Sequence, residues 1–181
     1  MSDLNVIGIS GSLRKGSFNT AVLRAAIELA PAGMTITEHD IRDIPLYDED
    51  LRASGLPASV QRLRDAIAAA DAVLFVTPEY NYSVPGVLKN AIDWASRPPQ
   101  QPFAGKACAI MGASGGMSGT MRAQYHLRQI AVFLDLAVLN KPEVFIRNAG
   151  SLVDASGKLT DEAARKTIGD QLVAFGAWAK R

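Results

Sequence analysis

Apolar and polar residues alternate along the chain in blocks: a short apolar run, a polar cluster, then a longer stretch with apolar residues three or four apart. Leu4-Asn5-Val6-Ile7-Gly8-Ile9 reads as a buried strand that ends in Ser10-Gly11-Ser12. Residues 17–30 predict a helix with Val22, Leu23, Ala26, Ile27 and Ala30 on one face. Ser17 or Asn19 suits its cap, and Pro31 with Gly33 stops it. Residues 34–39 alternate apolar with polar, as a half-exposed strand does. A long irregular connection with Pro45, Gly55 and Pro57 fills residues 40–59, and loops of that length in compact domains tend to be functional. A helix over 60–70 leads into the continuous apolar strand Ala72-Val73-Leu74-Phe75-Val76. Residues 84–95 predict a helix with Pro85 early, where its missing N–H costs nothing. A fourth strand is expected over 107–111, a helix over 118–135, a fifth strand within 137–146, a loop over 147–158 and a last helix from Thr160-Asp161-Glu162 to Ala179.

Strands alternating with helices imply an α/β three-layer sandwich, a parallel sheet covered on both faces. Right-handed crossovers leave few arrangements of five strands, and the doubly wound order 2-1-3-4-5 is the expected one. At 181 residues the chain fits one domain, residues 1–181, with one core. Ligands of such folds bind beyond the carboxyl ends of the strands. The three polar segments rich in Gly or Pro follow strands 1, 3 and 4, so they converge on that edge.

Charge narrows the partners. Nineteen Lys and Arg against 18 Asp and Glu leave a net charge of +1, which offers no bulk attraction to nucleic acid or anionic lipid. One cysteine, Cys108, excludes an internal disulfide and a four-cysteine metal site. Met1-Ser2-Asp3 lacks the start of a secretory signal, and no apolar run nears the roughly eighteen residues that cross a bilayer. A soluble, cytoplasmic location without nucleic-acid or membrane partners is expected.

The segment Ser10-Gly11-Ser12-Leu13-Arg14-Lys15-Gly16-Ser17-Phe18-Asn19-Thr20 matches neither the dinucleotide nor the nucleoside-triphosphate fingerprint. It offers the hydroxyls of Ser10, Ser12, Ser17 and Thr20, the amide of Asn19, the guanidinium of Arg14 and a helix N-terminus, a set suited to a phosphate monoester. An ordinary polar turn capped by Ser17 fits the same residues. Pro78-Glu79-Tyr80-Asn81-Tyr82-Ser83 could hydrogen-bond the edge of a heterocycle while a ring lies on its face, or it could simply end a strand and cover the core.

Taken together, Gly11-Ser12-Leu13-Arg14-Lys15-Gly16-Ser17-Phe18-Asn19 and Pro78-Glu79-Tyr80-Asn81-Tyr82-Ser83-Val84-Pro85-Gly86-Val87-Leu88-Lys89-Asn90-Ala91-Ile92-Asp93-Trp94 resemble the NADPH-dependent FMN reductase family, and within it the bacterial quinone and chromate reductase branch. Ile44-Pro45-Leu46-Tyr47-Asp48-Glu49-Asp50 fits that family's loop after strand 2. The resemblance implies a flavodoxin-like fold, bound FMN, a homodimer or homotetramer, and two-electron, ping-pong reduction of a quinone-like acceptor by NAD(P)H, with FMN N5 rather than a side chain as the reacting atom. It also implies that Ser10, Ser12, Arg14, Ser17, Asn19 and Thr20 serve the phosphate, and that Pro78, Glu79, Tyr80, Asn81, Tyr82 and Ser83 lie beside the isoalloxazine. Ser114, Gly115 and Gly116 match a third loop, whose small residues admit the flavin's pyrimidine end; a plain strand-to-helix turn suits them equally. The alternative function is a non-enzymatic flavodoxin-type electron carrier, against which a charge of +1 counts, because such carriers dock through an acidic surface.

Other residues carry no expected chemistry. His39 and His126 lack a third partner at metal spacing, and Cys108 sits in a core strand. Asp48, Glu49 and Asp50 read as a solvated loop. Arg122, Tyr125 and Arg128 read as a solvated helix face, with Glu143 or Asp135 of another copy as an alternative contact.

Overall fold

The computed structural model describes residues 3–181, so the expectation drawn from Met1 and Ser2 lies outside the described residues. The chain runs β1 (Leu4–Ser10), α1 (Phe18–Glu28), β2 (Met34–His39), α2 (Glu49–Ala53), α3 (Ala58–Ala69), β3 (Ala72–Val76), α4 (Gly86–Ala95), β4 (Ala107–Ala113), α5 (Met121–Phe133), β5 (Ala137–Val138), β6 (Val144–Ile146), a 3-10 turn (Ala149–Ser151) and α6 (Glu162–Trp178). All strand pairs are parallel, in the order β2-β1-β3-β4-β5, with β6 also on β4.

The sheet departs from five continuous strands at one edge. β5 pairs with Ala107 and Cys108 at the start of β4, and β6 pairs with Met111 to Ala113 at its end. Between them the chain leaves the ladder after Leu139, whose N–H still reaches the Cys108 carbonyl at 2.8 Å. Pro142 has no N–H to give a ladder, so the strand cannot run through it. The Pro142 carbonyl instead accepts from the buried Gln171 of α6 at 2.7 Å. The 40–59 connection also holds the short α2, capped by Asp48, which accepts from the N–H of Asp50 at 2.8 Å.

Two apolar layers sandwich the sheet. Val22, Leu23, Ala26, Ile168, Leu172 and Phe175 of α1 and α6 pack on one face, and Leu63, Ile67, Leu88, Ile92 and Leu127 of α3, α4 and α5 on the other. β3 lies between them with all five residues buried, which explains its unbroken apolar run. Each large side chain buried there contributes about 1.5–3 kcal/mol. Cys108 is wholly buried in the second layer; burial pushes its thiol up to about 12, so it stays a protonated core residue.

This packing aligns the strand ends. Ser10 lies level with Val76, and Val76 with Met111, so the loops after β1, β3 and β4 start at one height. The loop after β2 is pinned beside them, because the Pro45 carbonyl accepts from Asn90 Nδ2 at 2.7 Å and Trp94 Nε1 at 2.9 Å of α4. Tyr47 packs edge-on against Trp94, and its N–H donates to Asn90 Oδ1 at 2.8 Å.

Candidate functional site

The β1–α1 loop is a cradle of backbone donors. Ser17 is the α1 cap: its hydroxyl accepts from the N–H groups of Asn19 and Thr20, each at 3.2 Å. Among the described residues, no backbone N–H from Ser12 through Gly16, nor that of Phe18, donates to a protein acceptor. Such a run of free donors at a helix N-terminus is suited to a phosphate. Arg14 is exposed above it, its guanidinium 4.9 Å from the centre of the Phe18 ring. Ser10 and Thr20 share a hydroxyl hydrogen bond of 3.1 Å.

Asn19 has a different task from its neighbours. Its buried side chain donates to the Ala113 carbonyl at 2.9 Å and accepts from the Ala113 N–H at 2.8 Å. Both ends of the amide are spent on clamping the start of α1 to the end of β4. That bond places the first loop beside the third. The spacing of 94 residues carries no local signal, so the sequence could show the amide but not its partner.

The β3–α4 loop is a tight two-residue hairpin. Tyr80 and Ser83 exchange backbone hydrogen bonds at 3.1 and 3.0 Å, and Asn81 and Tyr82 both hold left-handed backbones, with φ of 50° and 64°. Two successive positive φ values define the type I′ turn, in which Asn is at home and a tyrosine is not. A left-handed tyrosine costs about 1–2 kcal/mol, and strain of this kind gathers at functional sites. The turn holds the Tyr82 ring out to solvent, 66% exposed. Pro78 abuts the first loop: a Cβ on Gly11 would come within 3.2 Å of it and 3.0 Å of Leu88, so only glycine fits there without displacement.

Glu79 ties this loop to α5. The Thr120 side chain at the N-terminus of α5 supplies no capping bond. The Glu79 carboxylate takes that place from 43 residues away, accepting from the N–H groups of Arg122 at 2.9 Å and Ala123 at 3.2 Å. The same carboxylate pairs with Arg122 Nη1 at 2.7 Å, and the Arg122 guanidinium lies 3.9 Å from the centre of the Tyr82 ring. Burial opposes ionisation of Glu79, but the Arg122 side chain and the two N–H donors outweigh it and hold the carboxyl below its ordinary value. Arg122 is therefore part of the rim and not a free solvated residue. Ser83 adds a second tie, with its Oγ 2.9 Å from His126 Nδ1.

In the third loop the Ser114 hydroxyl donates to the Gly116 carbonyl at 3.1 Å and accepts from the Gly119 N–H at 3.1 Å. Gly115 and Gly116 are exposed; a Cβ at Gly116 would meet nothing within 4 Å, so their backbone is open to a ligand. At the base of this loop, Gly112 is forced: a Cβ there would sit 2.1 Å from Thr120 Oγ1 and 2.3 Å from the Thr77 carbonyl.

Every expected site residue thus lies on the three converging loops or, for Ser10, Asn19 and Thr20, on the strand end and helix start that flank the first, and the side chains of Ser17, Asn19, Glu79 and Ser114 bond protein groups. Among the described residues there is no cluster of His, Cys, Asp and Glu that could hold a metal ion, and no helix is long and apolar enough to cross a membrane. A doubly wound parallel sheet with a donor cradle after β1 and an aromatic turn after β3 defines a flavodoxin-like α/β protein. Residues 4–151 match the model of the NADPH-dependent FMN reductase family, and the chain belongs to that family. It is 61% identical over 179 residues to an NAD(P)H-dependent FMN reductase of Pseudomonas aeruginosa, covering 99% of this chain and 97% of that one. It is 50% identical over 181 residues to a quinone reductase of Escherichia coli K12, covering 98% and 96%. Among solved structures, the NAD(P)H:(acceptor) oxidoreductase FerB of Paracoccus denitrificans superposes with a TM-score of 0.88 at 38% identity, covering 98% of this chain and 97% of that one.

Proposed function

We propose that the chain is an FMN-dependent NAD(P)H oxidoreductase that reduces quinones and related small acceptors. The observation that carries this reading is the set of free N–H donors from Ser12 through Gly16 and at Phe18, at the N-terminus of α1. FMN fits: its phosphate monoester suits that cradle, and the open backbone of Gly115 and Gly116 leaves room for a flat heterocycle. When bound, FMN supplies two-electron chemistry, accepting hydride from NAD(P)H and passing the electron pair to the acceptor.

The chain's own residues position and enclose. Ser12 and Arg14, with the α1 N-terminus, hold the phosphate, while Ser10, Ser17 and Thr20 fix the loop that carries them. Asn19 and Glu79 lock the three loops in register, and the hairpin of Tyr80, Asn81, Tyr82 and Ser83 sets an aromatic wall beside the heterocycle. Pro78 keeps that wall against the first loop, and Ser114, Gly115 and Gly116 face the other end of the ring. Support for a quinone-like acceptor comes from the relatives named as quinone reductases. We further propose that residues 1–181 act as one domain, that the protein works in the cytoplasm as a homodimer or homotetramer, and that donor and acceptor use one open face in turn.

Titration with FMN tests the core of this reading. Flavin fluorescence should be quenched to an end point near one FMN per chain. An absence of quenching would remove FMN, and with it the proposed activity.

A further inference from the structure

An apolar groove opens beside the candidate site, between the loop after β2 and the first turns of α4. Its volume is about 490 Å³, within the range of about 300–1,000 Å³ that small-molecule sites span. Leu13, Ile41, Ile44, Leu46 and Val87 form its apolar wall. Ile41 is buried, Leu13 and Ile44 are half-buried, and Leu46 is 85% exposed. At Gly86 a Cβ would meet nothing within 4 Å, so the backbone leaves the groove open there. None of these residues is among those that serve the FMN phosphate or the heterocycle.

The polar groups along the groove already have partners. Lys89 Nζ lies 2.8 Å from both carboxylate oxygens of Asp93, and Arg42 Nε donates to Asp40 at 2.8 Å. The Asn90 side chain is spent on the Pro45 carbonyl and the Tyr47 N–H. What the groove offers a ligand is therefore mainly its carbon wall. The same contacts fix Pro45 and Tyr47 on either side of Leu46, and Trp94 Nε1 adds a third bond, to Pro45. The exposed leucine is thus held in place by ordered neighbours, and a preorganised apolar group loses less freedom on binding. A single exposed leucine is ordinary; one that continues into four more apolar residues around a concave surface marks a site.

The groove is continuous with the flavin site. Leu13 belongs to the donor cradle after β1, and Gly86 and Val87 come directly after Val84 and Pro85, which follow the hairpin. Pro78 and Pro85 both close on Gly11, where a Cβ would come within 3.2 and 3.3 Å of them, so the first loop, the hairpin and the start of α4 meet. We propose that the groove binds the prenyl or alkyl chain of a lipophilic quinone whose ring occupies the site, and so makes the protein select tailed quinones over the bare ring. This rests on the oxidoreductase reading above. A second copy of the chain is the other occupant such a surface admits, and the test separates the two.

FMN-loaded protein is titrated calorimetrically with a redox-inert quinone analogue, 4-hydroxyquinoline N-oxide, with and without a 2-heptyl chain. Wild type is compared with L46N, V87N and the double variant. A fully buried methylene is worth about fourfold in affinity, so a heptyl chain covered on one side should tighten binding about tenfold or more. Each single variant should lose about threefold of that advantage and the double variant most of it. With NADPH as donor, kcat/KM should be about tenfold higher for 2,3-dimethoxy-5-methylbenzoquinone carrying one prenyl unit than for the same ring without it. The variants should lose that gain and keep the rate of the tail-less ring. Equal binding of the two analogues, or variants that keep the full advantage, would overturn the proposal. Sedimentation should give wild type and double variant the same mass; a lower mass for the variant would also overturn it, because the groove would then lie between two copies. The calorimetry runs equally on FMN-free protein, so a chain that binds no FMN defeats the earlier reading while the heptyl comparison still decides the groove.

Discussion

Replacing Glu79 by glutamine asks how much of the site's rigidity rests on one buried carboxylate. The side chain is only 6% exposed and accepts from Arg122 Nη1, the Arg122 N–H and the Ala123 N–H. An amide has one acceptor oxygen, so it can serve the backbone donors or the guanidinium but not both. Losing the α5 cap costs about 0.5–2 kcal/mol. Losing a charge-assisted bond costs about 1.5–3 kcal/mol, at the low end here because Arg122 is 45% exposed. Because the amide keeps one of the two roles, the expected loss for Glu79→Gln is about 1–2 kcal/mol at pH 7, read from urea unfolding of FMN-free protein with unchanged m-value. The pH dependence has a definite sign. The folded carboxyl lies below its ordinary value of 4.5, so its stabilisation is present above that value and lost as pH falls through the depressed one. Wild type and variant should accordingly converge in acid. A difference below about 0.5 kcal/mol at pH 7, within the usual scatter of surface substitutions, would refute the capping argument. A gap that persisted undiminished in acid would refute the role given to the charge.

Asn19→Ala should cost about 2–4 kcal/mol in the same assay, since it leaves both polar groups of buried Ala113 without a partner; a loss under about 1 kcal/mol would mean water replaces the amide. Arg14→Ala should weaken FMN binding by about 1.5–3 kcal/mol in a fluorescence titration while leaving FMN-free stability unchanged, and unaltered affinity would place Arg14 outside the phosphate site. Tyr82→Gly removes the left-handed penalty, so unfolding should show unchanged or slightly greater stability, by up to about 1 kcal/mol, while kcat/KM for donor or acceptor falls; normal kinetics would make the ring a mere cover. Initial rates with both substrates varied should give parallel double-reciprocal lines, and intersecting lines would show donor and acceptor bound together.

The order of elements was legible because period and composition report burial directly. β2 at Met34–His39 and β3 at Ala72–Val76 fall where alternation and the unbroken apolar run place them. The break between β5 and β6 was not legible from apolarity, since Leu139, Val144 and Ile146 are all buried whether or not the ladder is continuous. Pro142 was the available clue. Within the site, Ser17 was readable as a cap because capping is local. Asn19 and Glu79 were readable as polar residues in the right loops, but their partners lie 94 and 43 residues away and appear only once β4 and α5 are in place. The strained Tyr82 was hidden for another reason. Sequence favours Gly, Asn or Asp at such a φ, so a tyrosine there contradicts local preference and becomes meaningful only when its backbone is seen.

Anaerobic titration of the FMN-loaded protein tests the central claim most directly. One equivalent of NADPH should bleach the flavin absorbance, and one equivalent of benzoquinone, with no other protein present, should restore it. Flavin that stays oxidised with both NADPH and NADH, or that is reduced but returns no electrons to the quinone, would contradict the account.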